Sequence, residues 1–351
     1  MIKVLVAEDS PLVKTLMLKC LASDAELEVI GIASNGKEAI TLTDRLKPDV
    51  ITMDVNMPVM NGLDATRVIM EKNPTPIIIL SSEYDPKDVS STFNALEAGA
   101  VAIAEKPLSY GTEKYETVAA KLRQTIKLMA EIKVVRRTKP KILDFHQSKP
   151  LTFPATSADK KDYRILAIGA STGGPVVIEK ILSSLKDTFT VPIVIVQHIV
   201  PAFSHGFVEW LGNLSKRRVK FAEDGEVLRP WHCYVAPPGR HLKIREEGIF
   251  SFSDEDPVNN SVPSVSVFFL SVAMQYKEKA IGILLTGMGK DGARELKEIK
   301  DAGGLTIAQS RESCIVYGMP AEAANHGAAS FMLNPDEIIN YLNLLQIKPF
   351  E

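Results

Sequence analysis

The chain has 351 residues, enough for two domains that each bury a core. Its hydrophobic fraction of 45%, charged fraction of 24% and net charge of −2 are ordinary for a globular protein and give no electrostatic reason for a nucleic-acid or membrane-surface partner. No apolar run approaches the roughly 18 residues of a membrane span, Glu8 and Asp9 interrupt the first run too early for a secretory leader, and the scattered Cys20, Cys233 and Cys314 read as reduced thiols without metal-ligand spacing, so a cytoplasmic protein is expected.

In chain order, short apolar runs at residues 2–7, 28–32, 50–54, 76–81 and 101–104 predict strands, with amphipathic stretches between them. Gly31, Gly36, Gly62 and Gly99 punctuate the connections. Residues 112–137, rich in Lys, Ala, Leu and Glu, predict one long helix that closes the first domain and extends beyond it. Residues 138–163 mix Pro, Lys, Ser, Thr and Asp without periodicity and predict an exposed linker, with Leu143 and Phe145 available to dock on a neighbouring surface. Alternation then resumes with strand 164–168, helix 175–185, strand 191–197 and helix 203–214. Strand pieces follow at 218–222, 232–236, 241–245 and 248–253. The remainder predicts helix 263–277, strand 280–285, helix 292–302, strand 304–309 and helices 319–327 and 335–345. The expected fold class is α/β throughout, as two doubly wound parallel-sheet domains. The first spans 1–110, a helix and linker span 111–163, and the second spans 164–351.

Polar residues recur at the carboxyl ends of these apolar runs, which in an open parallel sheet all face one rim where ligands bind. Glu8, Asp9 and Asp54 would converge there. Clustered carboxylates repel unless neutralised, and a hard oxygen-seeking cation such as Mg²⁺ would neutralise them and hold a phosphoryl group, with the Asn56 carbonyl completing the shell. Lys106 adds a point charge suited to phosphoryl oxygens and Ser81 a short hydroxyl donor. Together with Met57-Pro58, Asn61-Gly62 and Lys106-Pro107, these residues resemble the receiver domain of two-component response regulators over residues 1–108. The resemblance implies a flavodoxin-like fold, phosphorylation of Asp54 by a histidine kinase, and a switch role for Ser81 and Lys106. Ile103 departs from the family, many of whose members carry an aromatic switch residue there.

The second rim offers a serine, a histidine and an aspartate. Gly169-Ala170-Ser171-Thr172-Gly173-Gly174-Pro175 links a strand to a helix, so Ser171 would sit at a helix N-terminus, where backbone N–H groups favour negative charge. A serine hydroxyl needs an adjacent base. His198, ending another strand, could supply it, and Asp291 could orient the imidazole. A phosphate-binding turn at 169–174 is a weak alternative, lacking the Walker lysine. Gly287-Met288-Gly289-Lys290-Asp291-Gly292 spells a dinucleotide fingerprint, although that motif belongs at a domain's first strand and this one stands midway. A DNA-binding output is disfavoured because no basic stripe or compact helix-turn-helix is present.

Gly169–Gly174, Gln197-His198, Tyr234-Val235-Ala236-Pro237, Leu285–Gly292 and Gly318-Met319-Pro320 resemble the catalytic domain of the chemotaxis protein-glutamate methylesterases, the CheB family. With the receiver in front, the resemblance extends over nearly the whole chain. It implies a Rossmann-like hydrolytic domain in which Ser171 is the nucleophile, His198 the general base and Asp291 its partner. Thr172 and the Met288 N–H are implied as oxyanion donors. The implied reaction is demethylation of glutamate methyl esters on chemoreceptors, with deamidation of glutamines in some members and no cofactor in the catalytic domain. A monomer that meets membranes only through its receptors is expected, and a phosphorylation-controlled interaction protein is the alternative. The chain departs from the family at Ile199-Val200, in place of Met-Pro, and at Asn260-Ser261-Val262-Pro263-Ser264-Val265-Ser266, in place of basic residues and Pro-Ser-Val-Asp. His146, His205, His232, His241 and His326 show no ligand spacing.

Overall fold

The computed structural model describes residues 1–81, 93–132 and 161–349. The chain divides into two compact units, Met1–Gln147 and Ser148–Glu351. Most of the expected linker, with Leu143, Phe145 and His146, lies outside the described residues; the helix expected over 112–137 starts at Glu113 and ends at Ala130, where Glu131 caps it, and 133–137 lie outside the described residues.

In the first unit, strands β1 (Ile2–Ala7), β2 (Leu27–Ala33), β3 (Val50–Asp54), β4 (Ile77–Ser81) and β5 (Ala102–Glu105) form a parallel sheet in the order β2-β1-β3-β4-β5. Both β3 and β4 are buried at every residue, which is why they read as unbroken apolar runs rather than alternating ones. The sheet carries α1 (Pro11–Ala22), α2 (Gly36–Leu46), α3 (Gly62–Lys72), a helix α4 described over 93–98, and α5 (Glu113–Ala130). Four of these helix starts have a local cause: Ser10, Asn35, Asn61 and Thr112, before α1, α2, α3 and α5, accept a backbone N–H from the first turn. Helix α5 buries Tyr115, Ala119, Leu122, Ile126 and Met129, one face at helical spacing, and Arg123 donates to the Cys20 carbonyl of α1 at 3.3 Å.

The second unit is built on a parallel sheet of seven strands: β6 (Ile165–Ala170), β7 (Ile193–Gln197), β8 (Arg218–Phe221), β9 (His232–Val235), β12 (Ala280–Leu284), β13 (Leu305–Gln309) and β14 (Phe331–Leu333). Their order is β14-β13-β12-β6-β7-β9-β8. The chain therefore winds outward from β6 on one side and later from β12 on the other, which puts a topological switch point between those two strands. Strands β10 (His241–Ile244) and β11 (Phe250–Ser253) stand apart as an antiparallel pair. The helices are α6 (Gly174–Ser184), α7 (Pro201–Leu214), α8 (Val265–Tyr276), α9 (Ala293–Asp301), α10 (Met319–Asn325) and α11 (Pro335–Leu344). Phe268, Phe269 and Val272 of α8 and Leu296 and Ile299 of α9 pack with Ile165, Ala167 and Leu284 in one hydrophobic core, each buried large side chain contributing about 1.5–3 kcal/mol. Among the described residues no helix is long and apolar enough to cross a membrane.

Differences from expectation have local reasons. Ser264 caps α8 through its hydroxyl, so that helix starts two residues later than the expected 263, and left-handed Gly292 (φ 80°) starts α9 at Ala293. The three-residue β14 was not anticipated, being too short to show a period. It leads into α11, whose cap is reciprocal: Glu337 N–H donates to Asn334 Oδ1 at 3.0 Å and Asn334 N–H to Glu337 Oε2 at 2.8 Å. Asn334→Ala should lower the unfolding free energy of the second unit by about 1 kcal/mol, measured by urea denaturation; no change would show that α11 is held by packing alone.

Candidate functional sites

At the rim of the first sheet, β1 delivers Glu8 and Asp9, β3 Asp54, β4 Ser81, and Lys106 follows β5. Glu8 and Asp54 are buried while Asp9 is exposed, and carboxylate oxygens of all three lie within 4.8 Å of one another. The Lys106 Nζ sits 2.9 Å from both Glu8 Oε2 and Asp54 Oδ1. Burial pushes the Asp54 carboxyl above its ordinary pKa, with Lys106 opposing and Asp9 adding to the shift. Glu8 is raised by burial and then by Asp54, again against Lys106. For Lys106 burial works against the charge, but the two carboxylates outweigh it and hold the ammonium above its usual range.

Three carboxylates facing one ammonium leave an excess of buried negative charge, and the donor set is all oxygen. That combination fits a hard divalent cation. Asn56 donates its backbone N–H to Asp54, which steadies the carboxylate at the start of the loop. The Ser81 hydroxyl is buried without a hydrogen-bond partner among the described residues, a donor left available at this rim. A Cβ at Gly62 would collide with the Asp54 carbonyl, which explains the glycine after Asn61.

At the rim of the second sheet, β6 ends at Ala170 and the chain turns sharply through Ser171 into α6. The turn is closed by Gly174 N–H on the Ser171 carbonyl (2.9 Å) and needs the left-handed Gly173 (φ 81°). Ser171 N–H is spent on the Thr286 carbonyl at 3.1 Å, which ties the serine to the loop after β12. Ala170 pairs with Gln197 across β6 and β7, so Ser171 and His198 are the next residues on adjacent strands, and His198 N–H donates to the Ala170 carbonyl (2.9 Å). Buried Gln197 clamps the two strand ends, its amide donating to the Ser171 carbonyl (2.9 Å) and the His198 carbonyl (2.8 Å).

Asp291 lies in the loop after β12 and is 2% exposed. Its Oδ2 is 2.9 Å from His198 Nε2. It also accepts from Ser264 Oγ and Val265 N–H (both 2.7 Å) and from Ser266 N–H and Asn259 Nδ2 (both 3.1 Å). Burial alone would raise its pKa, but His198 and the Ser264 and Asn259 donors overcome it and hold the carboxyl at about 2. An ionised carboxylate only accepts, so His198 donates to it from Nε2, and in the neutral form of the ring Nδ1 keeps the lone pair.

The strand–turn–helix after β12 completes the crevice. A Cβ on Gly287 would come within 2.6 Å of Ser171 Cβ, so only glycine lets this loop approach the serine. The Gly287 carbonyl accepts from Met319 N–H (2.9 Å) and Gly318 N–H (3.1 Å) at the start of α10. Peptide planarity then turns the Met288 N–H away from α10. Thr172 is held through its carbonyl by Thr286 Oγ1 at 3.0 Å and keeps its side chain partly exposed, while Met288 is exposed. Thus Ser171, Thr172, His198, Met288 and Asp291 meet at one switch point. Gln197, Thr286 and Gly287 entered the sequence reading only as parts of the Gln197-His198 and 285–292 motifs, with no role of their own; a glutamine ending an apolar strand was the available signal for Gln197. The glycines of the dinucleotide spelling at 287–292 have local reasons: Gly287 abuts Ser171, Gly289 is left-handed (φ 86°), and a Cβ at Gly292 would collide with Val265.

Comparison with known proteins identifies the family. Residues 166–342 match the CheB methylesterase family and residues 4–112 the response regulator receiver domain. A protein-glutamate methylesterase/protein-glutamine glutaminase of Syntrophus aciditrophicus is 48% identical over 97% of this chain and 97% of its own. A relative so named in Geobacter metallireducens is 44% identical over 99% of this chain and its full length. Among solved structures, the Thermotoga maritima CheB methylesterase catalytic domain is 38% identical, with a TM-score of 0.50, covering 52% of this chain and 98% of its own. The chain belongs to the CheB methylesterase family and carries the family's catalytic region behind a response regulator receiver domain.

Proposed function

We propose that this chain is a phosphorylation-activated hydrolase that cleaves glutamate γ-methyl esters, and side-chain amides of glutamine, on chemoreceptors. The single observation that carries the proposal is the His198–Asp291 pair at the switch point, with Ser171 on the adjacent strand end. Ser171 Oγ attacks the γ-carbonyl while its proton passes to His198 Nδ1. The oxyanion receives hydrogen bonds from Thr172 and the Met288 N–H, donors aimed at charge that exists only after attack. The protonated imidazole returns the proton to the leaving oxygen, and methanol departs, leaving an ester of Ser171. Water then attacks that ester with His198 as base, giving the glutamate carboxylate and free serine. With glutamine the leaving group is ammonia.

Residues 1–110 are proposed as the receiver, 111–163 as the connecting helix and linker, and 164–351 as the catalytic domain. A histidine kinase donates the phosphoryl group to Asp54, and methylated receptors are the substrate; the enzyme works as a cytoplasmic monomer. Glu8, Asp9, Asp54 and the Asn56 carbonyl would hold Mg²⁺, which neutralises the carboxylates and the incoming phosphoryl oxygens. Lys106 and Ser81 then contact the phosphoryl group.

Methanol release from methyl-labelled receptor membranes, with Mg²⁺ and a small phosphodonor, tests the whole scheme. Release should rise with the phosphodonor, and Asp54→Asn should lose that rise. Ser171→Ala should lose turnover by about 10⁴-fold or more while still taking phosphate. Equal release with and without phosphodonor would sink the gating, and normal turnover in Ser171→Ala would sink the nucleophile. Asp9→Asn should weaken Mg²⁺ binding, read as a lower Mg²⁺-dependent rise in the first unit's melting temperature; an unchanged dependence would remove Asp9 from the metal site.

Asp291 also links stability to pH. Its folded pKa of about 2 lies below the ordinary 3.8, so it stabilises the fold above pH 3.8 and loses that contribution as pH falls toward 2. Asp291→Asn should drop kcat by about 10⁴-fold, because the amide can favour the wrong imidazole tautomer. Its stability deficit should shrink between pH 4 and 2, followed by denaturant titration at several pH values. A deficit independent of pH would show that the carboxylate's charge is not what the fold uses.

A further inference from the structure

Among the donors to Asp291, one comes from a turn that no other part of the site accounts for. Val258–Ser261 is closed by Ser261 N–H on the Val258 carbonyl at 3.0 Å, and its two central residues, Asn259 (φ 52°) and Asn260 (φ 61°), are both left-handed. Asparagine adopts this conformation more readily than other side-chain-bearing residues. The turn aims the Asn259 amide at two acceptors, Asp291 Oδ1 and Ser266 Oγ, each at 3.1 Å. Ser266 has one proton, and it goes to Glu295 Oε2 at 2.5 Å. The Ser266 oxygen therefore only accepts on its other side, from Gly292 N–H (2.8 Å) and from Asn259. The direction of every bond is thus determined: Ser266 donates to Glu295, and Asn259 donates to both Ser266 and Asp291.

We propose that Asn259 is a positioning residue of the hydrolase, held by Ser266 and Glu295, that fixes the Asp291 carboxylate in the plane in which it meets His198 Nε2. It acts through Asp291 and does not touch the substrate. Its loss therefore falls on kcat and leaves KM unchanged. The proposal rests on the assignment of Ser171, His198 and Asp291 above.

The test compares full-length variants in the methanol-release assay. Asn259→Gly keeps the left-handed backbone and removes only the amide, whereas Asn260→Gly relaxes the neighbouring position of the same turn. Asn259→Gly should lower kcat about tenfold with KM at its wild-type value and a lower melting temperature, since Asp291 loses a donor, and Asn260→Gly should keep wild-type kcat. Ser266→Ala should also lower kcat, and the Asn259→Gly/Ser266→Ala double variant should lose less than the product of the two single losses, because both act on one carboxylate. Wild-type kcat in Asn259→Gly, an equal loss in Asn260→Gly, or multiplicative losses in the double variant would overturn the proposal. If Asn259→Gly does not fold, Asn259→Asp replaces the donor with an acceptor beside Asp291, and wild-type kcat there would overturn it equally. Normal turnover in Ser171→Ala, run alongside, would instead refute the nucleophile assignment, so the two failures are distinguishable.

Discussion

A strand buried on both faces of a parallel sheet has no room for charged side chains along its length, so it can offer them only where it ends. This constraint shapes both units. Strands β3, β4, β6, β7 and β12 are buried at every residue. Asp54 and Ser81 close their strands, while Ser171 and His198 stand immediately beyond theirs. In the second unit the chemistry concentrates where the winding direction reverses, and there the loops after β6 and β12 meet through Ser171, Thr286 and Gly287.

The two crevices solve opposite electrostatic problems. The first gathers more negative charge than Lys106 can balance, and burial raises both Asp54 and Glu8, so the site is poised to accept positive charge. The second surrounds a single carboxylate with so many donors that it stays ionised down to about pH 2. A carboxylate awaiting a cation must be left wanting. One that directs a histidine must be immobile, and hydrogen bonds from Ser264, Val265, Ser266 and Asn259 make it so.

Much of this was legible in the residues. Unbroken apolar runs announced the central strands, and polar residues at their ends announced both sites, since strand length and terminus are local properties. What was not legible depended on distant partners. The apolar runs at 241–245 and 248–253 gave no sign that they pair with each other outside the main sheet. The segment 260–266 stood out as a departure from the family pattern, yet its reach to Asp291 follows from how α8 packs on the sheet and on α9. The choice of Nε2 over Nδ1 for the Asp291 bond is likewise a matter of ring orientation. Gly287 is a similar case, ordinary in a loop and singular only because Ser171 lies against it.

The pairing of β6 with β12 has a consequence for the order in which the molecule is made. Ser171 leaves the ribosome early, but Thr286, which holds its backbone, and Asp291, which directs His198, arrive more than a hundred residues later. Until β12 inserts beside β6, the serine has neither its anchor nor an oriented base. The His198–Asp291 pair and the Ser171 anchor thus form only once the strand after α8 has joined the sheet.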